Sequence, residues 1–190
     1  MPNWCSNAVV VYGDKDEVKL FKERYAQAYL NSCKNNTWGT YELFAVHNYA
    51  KEYILKECEE YVRGPIYEST SIEPDGTFRF FFESAWSPMI DGIRRILDEN
   101  YKTLQCEVVA EECGEEIYIN TDTQGRFFRD KYCLYSDETG SEYFESDEEL
   151  VRFVKEEFHY NLPNPRNLKN DVYIEYAPDQ EFSIHCFTTY

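Results

Sequence analysis

The alternation of two hydrophobic periods along the chain constrains its fold more than any other feature. The segment from Cys5 to Tyr12 carries the β-branched run Val9-Val10-Val11 and stops at Gly13. A short apolar run closed by a turn residue reads as a buried strand. Asp14, with Glu17 three residues later, has capping-box spacing, and Val18, Phe21, Tyr25 and Tyr29 then recur at helical spacing to about Leu30. After a polar loop from Asn31 to Gly39, a second periodic stretch (Leu43, Val46, Ala50, Cys58, Tyr61) predicts a long helix over about 41–62 that ends before Gly64-Pro65. Ile66 to Ile72 and Thr77 to Glu83 flank Pro74-Asp75-Gly76. This is a hairpin signal, because Pro fixes φ and Gly permits positive φ. Ser87-Pro88 then reads as N-cap and first residue of a helix bearing Ile90, Ile93 and Leu97, and Leu104 to Ala110 as a strand.

Past that strand, Gly114 and Gly125 delimit two further strands, Glu116 to Thr121 and Arg126 to Leu134. Ser146 and Glu149 form a second capping box ahead of Leu150, Phe153, Val154 and Phe158. Val172 to Tyr176 and Phe182 to Thr188 close the chain as a hairpin around Pro178-Asp179. The expected class is therefore α+β. Residues 1–113 form a ferredoxin-like split β-α-β core, an antiparallel sheet with helices on one face and an inserted helix at about 41–62. Residues 114–190 form a C-terminal α+β extension. No Gly/Ser-rich linker separates the two, so the expectation is one compact unit. The topology name brings no iron–sulfur ligands with it.

Charge is the second constraint. The chain of 190 residues carries 36 Asp and Glu against 19 Lys and Arg, a formal net charge of −17. Hydrophobic residues make up 43%, so the acidity is not that of a disordered chain. Like-charge repulsion argues against direct contact with nucleic acid or an anionic membrane and favours a basic protein partner. The excess is regional: from Glu107 to Glu149 there are 14 acids against three bases, a net of −11. Such a cluster is either a solvated face or an electronegative surface that docks on a basic groove. Tyr132, Tyr135 and Tyr143 overlap it, and tyrosine supplies contact area at low entropic cost. The candidate partner-binding residues are Glu111, Glu112, Glu115, Glu116, Tyr135, Asp137, Glu138, Glu142, Tyr143 and Glu145, together with Trp38. Trp38 lies in a loop and is either tucked into it or an anchor for a partner. Trp4 and Trp86 read as structural wedges.

Signals for chemistry are weaker. The carboxylates around Gly114 lack the D-x-D-x-D-G spacing of a calcium loop, so no metal is expected there. Ser183 and His185 share one face of the last strand without a G-x-S-x-G elbow, and His47 reads as a packed or surface histidine. No phosphate-binding glycine loop is present. Neither a catalytic residue nor a cofactor is expected. Seven scattered cysteines without a C-x-x-C suit reduced thiols, and no run approaches the roughly 20 apolar residues of a membrane span. The N-terminal residues lack the regions of a signal peptide. The expectation is a cytoplasmic protein.

Three stretches carry a resemblance: Met1-Pro2-Asn3-Trp4-Cys5-Ser6-Asn7 leading to Gly13, Glu83-Ser84-Ala85-Trp86-Ser87-Pro88, and Ala110-Glu111-Glu112-Cys113-Gly114. Over roughly residues 1–135 the chain resembles the YubB-type ferredoxin-like domain proteins of plasmids, phages and other mobile elements. It departs from them at Glu115-Glu116-Ile117, where that family often has an aromatic residue and a glycine. The resemblance implies the fold and a mobile-element origin and supplies no catalytic residues. The combined expectation is a non-enzymatic acidic module that occludes a basic, nucleic-acid-binding surface of a host defence protein. The rivals are an enzyme using the carboxylates near Gly114 or the His185 face, and a structural homo-oligomer.

Overall fold

The computed structural model describes residues 3–49, 63–69, 71–114, 116–162, 172–176 and 180–189. It is an α+β protein with two antiparallel four-stranded sheets. The chain divides into two compact units, Met1–Ile117 and Tyr118–Tyr190, although no Gly/Ser linker separates them.

The first unit opens with β1 (Trp4–Tyr12) and α1 (Lys15–Asn35). Asp14 caps α1 as expected, accepting from the backbone N–H groups of Asp16 and Glu17 at 3.0 and 3.3 Å. The box is not reciprocal. The Glu17 carboxylate instead accepts from the backbone N–H groups of Lys102 and Thr103, at 3.0 and 2.9 Å, tying the helix start to the chain leaving the third helix. Those bonds, the Lys102 one first, hold its carboxyl below the ordinary value. Gly13 has φ 148°, and a Cβ there would lie 2.7 Å from the Thr103 carbonyl oxygen, so only glycine permits this approach.

The helix expected over 41–62 is shorter at its start. α2 (Gly39–Ala45) ends where Val46, His47 and Asn48 turn, with Asn48 at φ 67°. The rest of that stretch, 50–62, lies outside the described residues. The expected hairpin keeps its Glu73–Thr77 turn, and its first arm meets β2 (Phe78–Ala85) at the bridges of Ile66 with Phe82 and Ile72 with Phe78 and through the Tyr67 N–H, which donates to the Phe81 carbonyl at 3.2 Å. The next helix, α3 (Ile90–Asn100), starts later than Ser87-Pro88 predicts, with Met89 at the cap position. Ser87 is engaged elsewhere: its carbonyl accepts from Ser84 Oγ at 2.7 Å, while Asn7 Oδ1 takes the Met89 N–H at 3.2 Å. β3 (Gln105–Glu112) is the last strand wholly within the first unit, and β4 (Ile117–Asn120), which falls in the second unit from Tyr118 on, stands next to it in the sheet order β2-β1-β3-β4.

Alternation along these strands separates two faces. Cys5, Asn7, Val9 and Val11 register with Ser84, Phe82, Phe80 and Phe78 on one side, and Asn7, Val9 and Val11 with Ala110, Val108 and Cys106 on the other, and all are buried. Phe21 and Tyr25 of α1 pack on Phe80 at ring-centroid distances of 5.7 and 4.6 Å. The remaining polar atoms on that face are bonded: Asn7 Nδ2 donates to the Cys5 carbonyl and to Ser84 Oγ, both at 2.9 Å.

The second unit contains β5 (Tyr132–Ser136), β6 (Gly140–Phe144), α4 (Asp147–Glu157), β7 (Val172–Tyr176) and β8 (Gln180–Cys186), in sheet order β6-β5-β8-β7. The strand expected from Arg126 begins only at Tyr132. Asp122 folds the preceding chain into a turn by accepting from the backbone N–H groups of Phe127 and Phe128. Burial opposes ionisation of Asp122, but these bonds outweigh it and its carboxyl titrates low. Ser146 caps α4 as expected, its Oγ accepting from Glu149 N–H at 3.3 Å, while the Glu149 carboxylate accepts from the N–H of Glu145, one residue before the cap, at 3.1 Å. Leu150, Val154 and Phe158 of α4 pack on Leu134, Phe182 and Ile184 of the sheet.

Candidate functional site: the outer face of the second sheet

Because α4 covers one face of β6-β5-β8, alternation sends the other residues of those strands to the opposite face. Cys133 lies across from Tyr143 on β6 and from His185 on β8, while Tyr135 lies across from Ser141 and Ser183. This outer face thus brings together two of the expected residues, Tyr135 and Tyr143, on adjacent strands of the β5–β6 hairpin. They are 48% and 44% exposed, Tyr135 on the inner strand β5 and Tyr143 on the edge strand β6. Behind them runs a row of rings. Tyr143 stacks on Phe187 at 6.5 Å, Phe187 meets Tyr118 at 5.9 Å, and Tyr118 stacks on His185 at 4.2 Å with 13° between the planes. Neither Tyr118 nor Phe187 stands out in the sequence. The signal that marks Phe187 is its alternation with Ser183 and His185.

The turn joining β5 to β6 supplies carboxylates beside this face. Asp137 and Glu138 are exposed, and Tyr135 Oη donates to Asp137 Oδ1 at 3.4 Å. Ser136 Oγ accepts the Thr139 N–H at 3.1 Å, and Gly140, at φ 73°, returns the chain into β6. Glu142 sits across from the buried Leu134 and so belongs to the opposite face of the sheet. Glu145 is exposed after β6, next to the α4 cap. Burial first, then the charges of Glu145 and Glu149, raises the Asp130 carboxyl above its ordinary value.

The other expected residues lie in the first unit and do not form one group. Glu111 and Glu112 point to opposite faces of β3. Glu112 is buried, and its Oε1 accepts the Gly114 N–H at 2.9 Å. Burial, and after it the nearby Glu112 charge, pushes the Cys5 thiol up to about 12. Glu116 is exposed, with φ 56°, and Glu115 lies outside the described residues. Trp38 is 47% exposed at the start of α2, its ring 5.7 Å from that of Trp4. Trp86, read as a wedge, is also 47% exposed and holds φ 71°.

Ser183 Oγ and His185 Nε2 are 3.0 Å apart. That is hydrogen-bond distance for a nucleophile and its base. The two lie on β8, which pairs with β5 on one side and β7 on the other. Ladder bonding directs the strand's own N–H groups within the sheet and away from a developing oxyanion over its face. His47 is buried between α2 and α3: its Nδ1 is 2.7 Å from the Leu43 carbonyl and its Nε2 2.9 Å from Tyr101 Oη. A carbonyl only accepts, so Nδ1 carries the proton and Nε2 accepts from Tyr101, whose oxygen also takes a bond from Arg24 at 3.3 Å. Burial, with Arg24 adding repulsion, lowers His47 to about 4. Among the described residues, no group of three or more His, Cys, Asp or Glu is placed to hold a metal ion, and no helix is long and apolar enough to cross a membrane.

No family model, curated protein or solved structure matches the chain.

Proposed function

We propose that the protein is a non-enzymatic binding module that docks on a basic protein surface through the outer face of its second sheet. The observation that carries this reading is the pairing of two half-exposed tyrosines, Tyr135 and Tyr143, on one sheet face beside the Asp137–Glu138 turn. Exposed rings on a rigid sheet supply contact area without a large ordering cost, and acids at the rim select a basic partner. Each exposed ion pair contributes only about 0–1 kcal/mol. A net charge of −17 acts chiefly on encounter, where such fields raise on-rates by roughly 10- to 1,000-fold at low salt.

The finer parts of the reading rest on narrower support. A ferredoxin-like core is supported by β1 pairing antiparallel to both β2 and β3, and by the bridges of Ile66 and Ile72 to the outer edge of β2. The likeness to YubB-type proteins is supported by the meeting of its three motifs at one end of the first sheet. There Trp4 registers with Ala85, Ser6 with Glu111, and the Trp86 N–H donates to the Asn3 carbonyl at 2.9 Å. On that likeness the partner is a nucleic-acid-binding host defence protein inside the cell, and the module covers its basic groove.

The test is capture of basic proteins by the immobilised chain, compared with Tyr135→Ala/Tyr143→Ala and Asp137→Asn/Glu138→Gln. The reading predicts a partner released by salt, lost with the tyrosine pair and weakened with the acid pair. Equal capture by all three proteins at every salt concentration would sink it.

A further inference from the structure

The first sheet has a second face, opposite the one on which α1 packs, and its side chains fall in rows set by register. Trp4 lies beside Ala85, Ser6 lies between Glu83 and Glu111, and Ala8 lies between Phe81 and Val109. The row beyond, Arg79–Val10–Glu107, closes the patch, since Val10 is buried. Two observations show that the rows of Ser6 and Ala8 are open, whereas Ala85 beside Trp4 is buried. Ser6 is exposed although it sits on a strand hydrogen-bonded on both sides, and Phe81 is 59% exposed. The central strand thus contributes small side chains and its neighbours large ones, which leaves a shallow trough over Ser6 and Ala8.

We propose that this trough binds an arginine side chain presented by a partner protein. Three features select that chemistry. The rise of about 6.8 Å from Ala8 to Ser6 matches the reach of an arginine stem lying against Phe81 and Val109. Strands about 4.8 Å apart place Glu83 and Glu111 about 10 Å from each other across Ser6, so one guanidinium over Ser6 meets a carboxylate on each side. The planar fork of a guanidinium can donate to both carboxylates at once, which favours arginine over lysine, while the Trp4 ring of the next row is already packed by Trp38 at 5.7 Å.

The carboxylate and the apolar wall are held in place before any ligand arrives. Tyr67 Oη donates to Glu83 Oε1 at 2.8 Å, and the Tyr67 N–H bonds the Phe81 carbonyl at 3.2 Å. The buried Tyr25 hydroxyl bonds the carbonyls of both Tyr67 and Phe81, at 2.7 and 3.2 Å. Arg79 is the one base in these four rows, beside Glu83, Glu107 and Glu111, so the face complements a cation and repels phosphate. The trough lies in the first unit and does not depend on the tyrosine face of the second.

The test is an amide-resolved NMR titration of the full chain with the peptide Gly-Ser-Val-Arg-Val-Ser-Gly and its citrulline counterpart, which keeps the shape and removes the charge. Shift changes are expected at Ser6, Ala8, Phe81, Glu83, Val109 and Glu111 with the arginine peptide and not with citrulline. Glu83→Gln/Glu111→Gln and, separately, Phe81→Ala should each weaken binding about tenfold. Glu156→Gln/Glu157→Gln, at two exposed acids of α4 outside both proposed faces, removes the same charge from the second unit and should leave affinity within about twofold. Shifts confined to other surfaces, or equal weakening by the two double variants, would overturn the proposal. Loss of the tyrosine-face reading would instead register in the Tyr135/Tyr143 capture experiment and leave this titration unchanged.

Discussion

Acidification should destabilise the first unit through His47, and the size of the effect follows from its surroundings. The imidazole is buried, its Nδ1–H is committed to the Leu43 carbonyl and its Nε2 to the Tyr101 hydroxyl. Protonation would add a second N–H facing a hydroxyl already bonded by Arg24, with the Arg24 charge nearby. The folded protein therefore takes up the proton only near pH 4, against an ordinary value of 6.5. Between those values the unfolded chain binds more protons than the folded one, so stability falls as pH falls. At 1.36 kcal/mol per pH unit this difference amounts to roughly 3 kcal/mol, fully present above pH 6.5 and lost by about pH 4. All three tryptophans, Trp4, Trp38 and Trp86, lie in the first unit, so urea unfolding followed by tryptophan fluorescence reports on it selectively. His47→Gln has no such proton to take up. Its stability deficit relative to the parent chain should shrink by about 3 kcal/mol between pH 6.5 and 4. Parallel pH profiles for the two proteins would refute the buried, neutral histidine.

Further outcomes follow from other buried contacts. Gly64→Ala would drive a Cβ into the Glu83 carbonyl group, so it should cost about 3 kcal/mol or more in the same urea assay; a neutral effect would contradict that backbone approach. Asn7→Ala removes the side chain that joins Cys5, Ser84 and Met89 and should cost about 2–3 kcal/mol; a loss near zero would mean the network contributes little. Cys33 and Cys113 are exposed and should react with an aromatic disulfide reagent at pH 8 in the native state. Cys5 and Cys106 are buried, with thiols pushed up to about 12, and should react only after unfolding, as peptide mass mapping would show.

Local signals were legible where one element determines its own structure. The β1 segment reads as apolar because Val9, Val10 and Val11 are all buried, and Asp14 and Ser146 cap their helices through bonds within a single turn. Readings failed where a distant group intervened. Ser87-Pro88 looks like a helix start, yet Asn7, 82 residues from Met89, fixes the later one. Arg126 to Lys131 has the composition of a strand but is bent by Asp122. The acidic run looked like one surface because counting charges ignores alternation. Pairing sends Glu142 to the helix side of its sheet and buries Glu112. Conversely, Phe81 breaks the alternation of Phe78-Arg79-Phe80-Phe81-Phe82-Glu83, placing an aromatic ring on the polar face. That irregularity was available in the sequence as a pointer to the open side of the first sheet.

The central claim, that the outer face of the second sheet meets a basic protein, is tested most directly by replacing Tyr143 with a photoreactive benzoylphenylalanine in cells that carry the gene. Tyr143 is 44% exposed on the proposed contact, whereas Leu30 is 60% exposed on α1 and serves as the control position. The account predicts a covalent adduct from position 143 with a protein of high isoelectric point, absent from position 30 and weakened with Asp137→Asn/Glu138→Gln. Equal adducts from both positions, or none from position 143, would contradict it.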